Sequence, residues 1–326
     1  MHDYSTDILI VGAGLAGAST AYHLKRLSDA RVLIVEKETT PGVHSSGRNA
    51  SFIRERTEEP ELRPLTSEGA EFLRGGTLAE YNAHGSVLIG WGDEDARLHC
   101  AVARGKGLWC PRDGTADVAR LLQSYLAGQK ILSDTEVLEW AHEGDGIRVR
   151  TNRGVIACSL LVNAAGPWAG KLGRLPLTPK NRTIYVTPPM KWVDPKWPFV
   201  WDVYGGLYFR PESGGLLLSP CDERPAEPGE YTDDPRMAEQ LAEKVMRLQP
   251  DLSEISIQRS WVGQRTFAKD KLFVIGFDPR ESKLFHVAGL GGHGVTSSYA
   301  VGRLAAETIL GKADRRGTAF APARLL

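Results

Sequence analysis

The feature that most narrows what this chain can fold into is a glycine pattern, Gly12-x-Gly14-x-x-Gly17, set between two kinds of periodicity. Residues 7–11 are a β-branched and leucine run, suited to a strand buried on both faces. Residues 15–27 carry apolar side chains at helical spacing, and residues 31–36 (RVLIVE) read as a second buried strand. Strand, turn, helix and strand within about thirty residues make a βαβ unit, whose crossover is right-handed. In such a turn the first glycine bends the chain, the second admits a pyrophosphate against the backbone, and the third lets helix and strand pack closely. The N–H groups of the helix start, around Ala16, add partial positive charge for phosphate. Glu36 ends the second strand 22 residues after Gly14, with Lys37 beside it. A carboxylate there accepts hydrogen bonds from a ribose and repels a 2′-phosphate, so the expected ligand is a dinucleotide.

The rest of the chain favours a flavin over a nicotinamide. A simple nicotinamide enzyme continues the α/β alternation and places its catalytic groups afterwards. Here a polar loop, His44-Ser45-Ser46-Gly47-Arg48-Asn49-Ala50, follows the second strand. A second glycine cluster, Gly289-Leu290-Gly291-Gly292-His293-Gly294, opens a helix expected over 295–310. A second helix start aimed at the same cofactor through Gly294, Val295 and Thr296 suits a flavin, because reduction puts negative charge on one edge of the ring. Tight strand–helix packing is the competing explanation for these glycines.

Helices are expected at 65–73 and 116–126, and strands at 86–90, 137–140, 147–151, 155–157 and 160–163, the last running into Ala164-Ala165-Gly166. Residues 176–261 change character: prolines crowd 176–198, aromatics recur at Tyr204, Tyr208 and Phe209, and Gly-Gly pairs at 205–206 and 214–215 mark turns between antiparallel strands. A helix over 235–248 interrupts them, and a strand at 284–288 returns to the α/β style. The expected fold is α/β: a Rossmann-like FAD-binding domain assembled from 1–80, 113–175 and 262–326, with an inserted antiparallel-sheet substrate domain of 81–112 and 176–261.

Forty basic residues balance forty acidic ones over 326 residues, which removes the basic surplus of nucleic-acid and anionic-membrane binders. The four cysteines, at 100, 110, 158 and 221, form no CxxC pair and no zinc spacing with histidine, so no metal is expected and the thiols read as inert groups of a reducing compartment. The first apolar run, 8–18, lacks a basic start, is broken by glycines and falls short of the ~20 residues that span a bilayer. A soluble cytoplasmic protein without a transmembrane segment is the expectation.

Five segments, in this order, resemble the D-amino-acid oxidase/dehydrogenase superfamily of FAD enzymes, which includes glycine oxidase and sarcosine oxidase. They are ILIVGAGLAGASTAYHL from residue 8, HSSGRNA from 44, LVNAAGPWAG from 161, WVGQRTF from 261 and VAGLGGHGVTSS from 287. The resemblance covers most of the chain and is closest to D-arginine dehydrogenase-like members. It implies a GR2-type fold in which these segments hold, in turn, the ADP part, the pyrophosphate and flavin edge, the adenine side, the substrate carboxylate and the pyrimidine end of the flavin. Cofactor contacts then fall on Gly12, Gly14, Ala16, Gly17, Glu36 and Lys37, and on His44, Ser45, Ser46, Gly47, Arg48 and Asn49. Further contacts fall on Val137, whose backbone meets adenine, on Ala165, Gly166 and Trp168, and on Gly291, Gly292, His293, Gly294, Val295 and Thr296.

Arg265 matches the arginine that clamps the substrate carboxylate, a task suited to a planar guanidinium making two parallel hydrogen bonds. Strand alternation puts Tyr208 and Arg210 on one face, the expected floor of the substrate cavity. His44 and His293 lie in the two loops expected to flank the ring and are candidate proton acceptors. The implied reaction is hydride transfer from the α-carbon of an amino acid, a D-amino acid by resemblance, to flavin N5. The imino acid then hydrolyses to a 2-oxo acid and ammonia.

The chain also departs from its relatives. It is shorter between Phe72 and Gly107, and it reads Gly85-Ser86-Val87 where arginine-type relatives carry a carboxylate, which points to a smaller or apolar side chain on the substrate. It lacks the flavin-tethering cysteine of sarcosine-oxidase types, so FAD is expected to be non-covalent. Two other readings stand: an oxidase or dehydrogenase of secondary amines such as sarcosine or proline, and a non-catalytic FAD-binding subunit of a hetero-oligomer. The electron acceptor (quinone, dye or oxygen) and the oligomeric state are left open.

Overall fold

A computed structural model describes residues 4–252, 254–312 and 319–326. Among these residues the chain builds two large sheets and a small one. The first has eight strands. Its spine runs Val274–Phe277, Leu284–Ala288, Gly154–Asn163, Tyr4–Val11, Val32–Val35 and Lys130–Leu132, parallel except at Val274–Phe277. The central strands read as continuous apolar runs because helices cover one face: Ile8, Ile10, Ile34, Val162 and Phe285 join Ala21, Leu24, Val301 and Leu304 in one buried cluster.

Two expected strands, 155–157 and 160–163, are a single strand, Gly154–Asn163. No turn residue interrupts Cys158-Ser159-Leu160, so the strand pairs antiparallel with Gly146–Thr151 on one side and parallel with Tyr4–Val11 on the other. The helix expected from 116 starts at Val118, because Asp117 caps it by accepting from Arg120 N at 2.9 Å.

The second sheet has seven strands in the order Arg259–Phe267, Thr178–Val186, Gly215–Ser219, Leu207–Glu212, Phe199–Asp202, Ser86–Asp95 and Lys106–Cys110. All neighbours are antiparallel except the Phe199–Asp202 and Ser86–Asp95 pair. The strand Arg259–Phe267 belongs wholly to this sheet, including its residues from 262 on, which were expected in the cofactor domain. Tyr81 and Asn82 pair with Gly114–Ala116 in the small sheet and stand outside the seven-stranded one. No helix among the described residues is long and apolar enough to cross a membrane.

The first helix, Leu15–Leu27, packs on the last, Gly294–Ile309, and this contact brings the two glycine turns together. The approach depends on Gly302, where a Cβ would come within 2.5 Å of Ser19 backbone. His23 is buried in the same seam, 4.6 Å from the Tyr299 ring, with no hydrogen-bond partner for Nε2 among the described residues. Burial, aided by the charge of Arg303, pushes its pKa down to about 4. The unfolded chain therefore binds the proton more readily, and stability is lost as pH falls from the ordinary histidine value toward about 4, by up to about 3 kcal/mol. His23→Leu is expected to melt at a higher temperature relative to the parent at pH 4 than at pH 7, read as thermal midpoints across that range.

Candidate active site

At the first glycine turn the backbone permits no side chain at two of three positions. Gly12 has φ +104°, and a Cβ on it would lie 2.5 Å from Ala164 O; a Cβ on Gly17 would lie 2.0 Å from Gly12 O. Gly14 is different, since its Cβ would meet only the Ser46 hydroxyl at 3.0 Å. Glu36 is buried and holds the turn: Oε2 accepts from Ala13 N at 2.8 Å and Oε1 from Glu38 N at 3.0 Å. Each oxygen keeps a lone pair for a further donor. Ser46 Oγ accepts from Leu15 N at 3.0 Å, and Asn49 braces the loop through Ser46 O and Ser51 N. Gly47 is required by Gly42 O, 2.6 Å from its would-be Cβ.

A groove runs from this turn to the second one as two cavities, of about 140 and 510 Å³. Gly14, Ser45, Ser46, Ala164 and Gly166 line both. The smaller is walled by Gly12, Glu36, Lys37, His44, Val137, Ala165 and Trp168. The larger takes in Ala16, Arg48, Asn49 and the second turn, Gly291, Gly292, His293, Gly294, Val295 and Thr296. Neither helix start carries a side-chain cap at its N-cap residue, Gly14 or His293, which leaves backbone donors and two positive dipole ends facing the groove. A dinucleotide whose adenosine end occupies the smaller cavity and whose ring occupies the larger fits these walls.

The floor of the larger cavity is one face of the seven-stranded sheet. Arg265 makes no hydrogen bond or ion pair among the described residues, and its guanidinium packs on Gly292, whose would-be Cβ lies 3.2 Å away. Burial and the nearby Arg182 charge push its pKa down. Arg182 stands on the neighbouring strand, opposite Gly263 where Lys180 is opposite Arg265. It is 4% exposed, gives Nε to Asp222 O at 2.9 Å and Nη2 to Glu223 at 3.2 Å, and leaves Nη1 without a partner among the described residues. Tyr208 is 2% exposed, and its hydroxyl also has no partner among the described residues. Two buried donors, Arg182 Nη1 and the Tyr208 hydroxyl, and the half-buried Arg265 guanidinium thus meet at the cavity floor with no partner among the described residues, the arrangement expected where a ligand supplies the acceptors.

Arg210 is not part of that floor. It shares a strand face with Tyr208, but two residues along a strand is about 7 Å, and Phe199, stacked on Phe52 at 3.6 Å, lines both the larger cavity and the separate one beside Arg210. Arg210 instead lines a separate cavity of about 170 Å³, with Nε on Ala50 O at 2.9 Å, Nη1 on Pro211 O at 2.7 Å and Nη2 on Glu212 at 2.8 Å. All three of its nitrogens are engaged and it does not line the larger cavity, contrary to the expectation from strand alternation.

The two histidines separate as well. His44 lines the smaller cavity and not the larger one, bonded through Nδ1 to Tyr231 OH at 2.6 Å and through Nε2 to Glu38 at 2.8 Å. Both of its ring nitrogens are engaged, and it bridges Tyr231 and Glu38 away from the larger cavity. His293 does line the larger cavity, but burial, with the charge of Arg54, pushes its pKa down to about 3. It is neutral near pH 7 and a weak base. Thr296 spends its hydroxyl on the backbone of Arg54 and Phe52.

Arg182, Arg54 and the aromatic wall also line the cavity, and no motif in the sequence marks them. Arg54 is 3% exposed, 4.2 Å from the Trp201 ring and paired with Glu58 at 3.0 Å. Phe52, Phe199, Trp201 and Ile184 make the wall. Glu58, Glu59 and His293 bring ligand atoms within 4.8 Å of one another, and Arg54 and Lys271 already pair with the two carboxylates. Ser86 binds Asp113 at 2.6 Å, and neither lines the cavity.

Comparison with known proteins agrees with this geometry. The profile of the FAD dependent oxidoreductase family, DAO, matches residues 7–105 and 78–308. The chain belongs to that family. It is 26% identical to glycine oxidase of Geobacillus kaustophilus, over 96% of this chain and 94% of the relative. It is 25% identical to the bovine (Bos taurus) FAD-dependent oxidoreductase domain-containing protein 1, over 94% of this chain and 81% of the relative. That alignment runs over 399 positions against 326 residues here, so the bovine relative carries segments this chain lacks. In fold it superposes on L-proline dehydrogenase from P. horikoshii with TM-score 0.88 at 21% identity, over 99% of this chain and 98% of the other. The DAO chain is thus an FAD enzyme, and the groove residues above fit that cofactor.

Proposed function

We propose that this chain oxidises the α C–N bond of an amino acid whose carboxylate rests on Arg265 and Arg182. The observation that carries the reading is the Arg265 guanidinium, without a hydrogen bond or ion pair among the described residues, beside Arg182 Nη1 and the Tyr208 hydroxyl on a floor reached by the second glycine turn. Bound FAD, held without a covalent bond, supplies the two-electron acceptor for the hydride lost from the α-carbon. Two guanidinium planes fix the carboxylate in position and direction, so the α C–H is presented toward the groove. Phe52, Phe199, Trp201 and Ile184 exclude water and receive a small or apolar side chain. The substrate nitrogen gives its proton to solvent, and the imino acid hydrolyses to a 2-oxo acid and ammonia. A D-amino acid is the substrate in this reading. Secondary amino acids such as proline are the second reading, favoured by the aromatic wall and the fold shared with L-proline dehydrogenase.

Anaerobic mixing with D-alanine, D-proline, L-proline, sarcosine and glycine tests it, read as loss of flavin colour. Failure of every amino acid to bleach the protein contradicts the proposal and revives a non-catalytic FAD subunit. Two further outcomes are expected. Arg182→Met raises KM by about thirtyfold, the cost of one buried charge-assisted contact, whereas Arg210→Met lowers thermal stability and leaves KM within about twofold. In a pH profile, kcat/KM rises as the substrate ammonium loses its proton, and no enzyme limb appears near the ordinary histidine value. A limb there that disappears in His293→Gln contradicts the neutral assignment of His293.

A further inference from the structure

Between the strand Gly215–Ser219 and the helix Arg236–Leu248, residues 220–235 run with almost no regular structure, yet they lie against the cofactor groove. A connection of this length is mobile unless something holds it, and here three anchors do. Gln264 Nε2 donates to Glu227 O at 2.8 Å and Glu230 O at 3.3 Å, while its Oε1 accepts from Gly229 N at 2.9 Å. Gly229, at φ +83°, lies so close to the Trp168 indole that a Cβ would come within 2.8 Å of it. Tyr231 bonds His44 Nδ1 at 2.6 Å, stacks on that ring with 5.7 Å between centroids, and has the Arg48 guanidinium 4.3 Å from its own ring centre.

The partners of this segment are walls of the groove: Trp168 and His44 line the smaller cavity, and Arg48 lines the larger. Tyr231 itself lines neither, so it acts through them. We propose that residues 227–231 are a strap that retains FAD, with Tyr231 the positioning residue that holds His44 and Arg48 against the cofactor. The inference rests on the reading that this groove holds FAD.

The test is the FAD dissociation rate of the purified holoprotein, followed as flavin fluorescence returning on dilution, alongside the melting midpoint of the apoprotein. Tyr231→Phe keeps the ring over Arg48 and loses the bond to His44; it is expected to release FAD about fivefold faster with an unchanged apoprotein midpoint. Tyr231→Ala loses both contacts and is expected to release it about thirtyfold faster. Parental dissociation rates in Tyr231→Phe overturn the strap, and that variant decides alone if Tyr231→Ala does not fold. A parent protein that binds no FAD overturns the groove assignment itself, and the strap with it.

Discussion

Arg265→Ala is expected to lower kcat/KM for the preferred amino acid by about a thousandfold while the protein stays fully loaded with flavin. The size follows from what the substitution leaves behind. Arg265 is the one arginine of the floor cluster with no donor engaged among the described residues, and Arg182 has two of its three nitrogens committed to Asp222 and Glu223. Removing Arg265 therefore leaves a substrate carboxylate desolvated with Arg182 Nη1 and Tyr208 as its remaining donors. Lysine at this position restores charge but not the planar pair of hydrogen bonds, so Arg265→Lys recovers part of the loss. Steady-state kinetics and the flavin-to-protein ratio of the purified variants check both statements. A loss of flavin along with activity would place Arg265 in cofactor binding and not in substrate binding.

The first glycine turn supplies the second large effect. Gly14→Ala is expected to weaken FAD binding by about a hundredfold with an apoprotein that melts nearly normally, because a methyl there meets only the Ser46 side chain, 3.0 Å away, which needs to give only slightly. The methyl stands where backbone must approach the pyrophosphate, so its cost appears when the cofactor arrives. Gly17→Ala behaves differently. Its Cβ would lie 2.0 Å from Gly12 O, so the helix must shift with or without cofactor, and the apoprotein itself is expected to lose stability. FAD titration and apoprotein melting on the two variants separate these costs. Equal apoprotein destabilisation by both contradicts the assignment of Gly14 to the pyrophosphate.

What could be read in the sequence divides along a physical line. The helix Leu15–Leu27 and the strand Leu284–Ala288 match the expected spans, because the glycine turns beside them leave little freedom in where helix or strand can begin or end. The floor of the cavity is another matter. Nothing in Pro179-Lys180-Asn181-Arg182 distinguishes an exposed strand from a substrate site, and only the register that sets Arg182 opposite Gly263 brings it next to Arg265. Alternation correctly places Tyr208 and Arg210 on one face, but it cannot show that the two line separate cavities, with Phe199 lining both. Histidine as a residue type suggests a base; the burial that silences His293 and the Tyr231 bond that engages His44 are both tertiary. Tyr231 comes from a proline-rich connection with no periodic signal, and its partners lie far away in the chain.

The central claim is that one groove presents an acid-bearing substrate to FAD through its carboxylate. It is tested most directly by anaerobic flavin reduction with a matched pair of compounds: the preferred amino acid and the amine left when its carboxylate is removed. The predicted result is rapid loss of flavin colour with the amino acid and a rate lower by about a thousandfold with the amine. Arg265→Ala should reduce the first rate to near the second and leave the second unchanged. Equal rates for acid and amine in the parent protein would contradict the account.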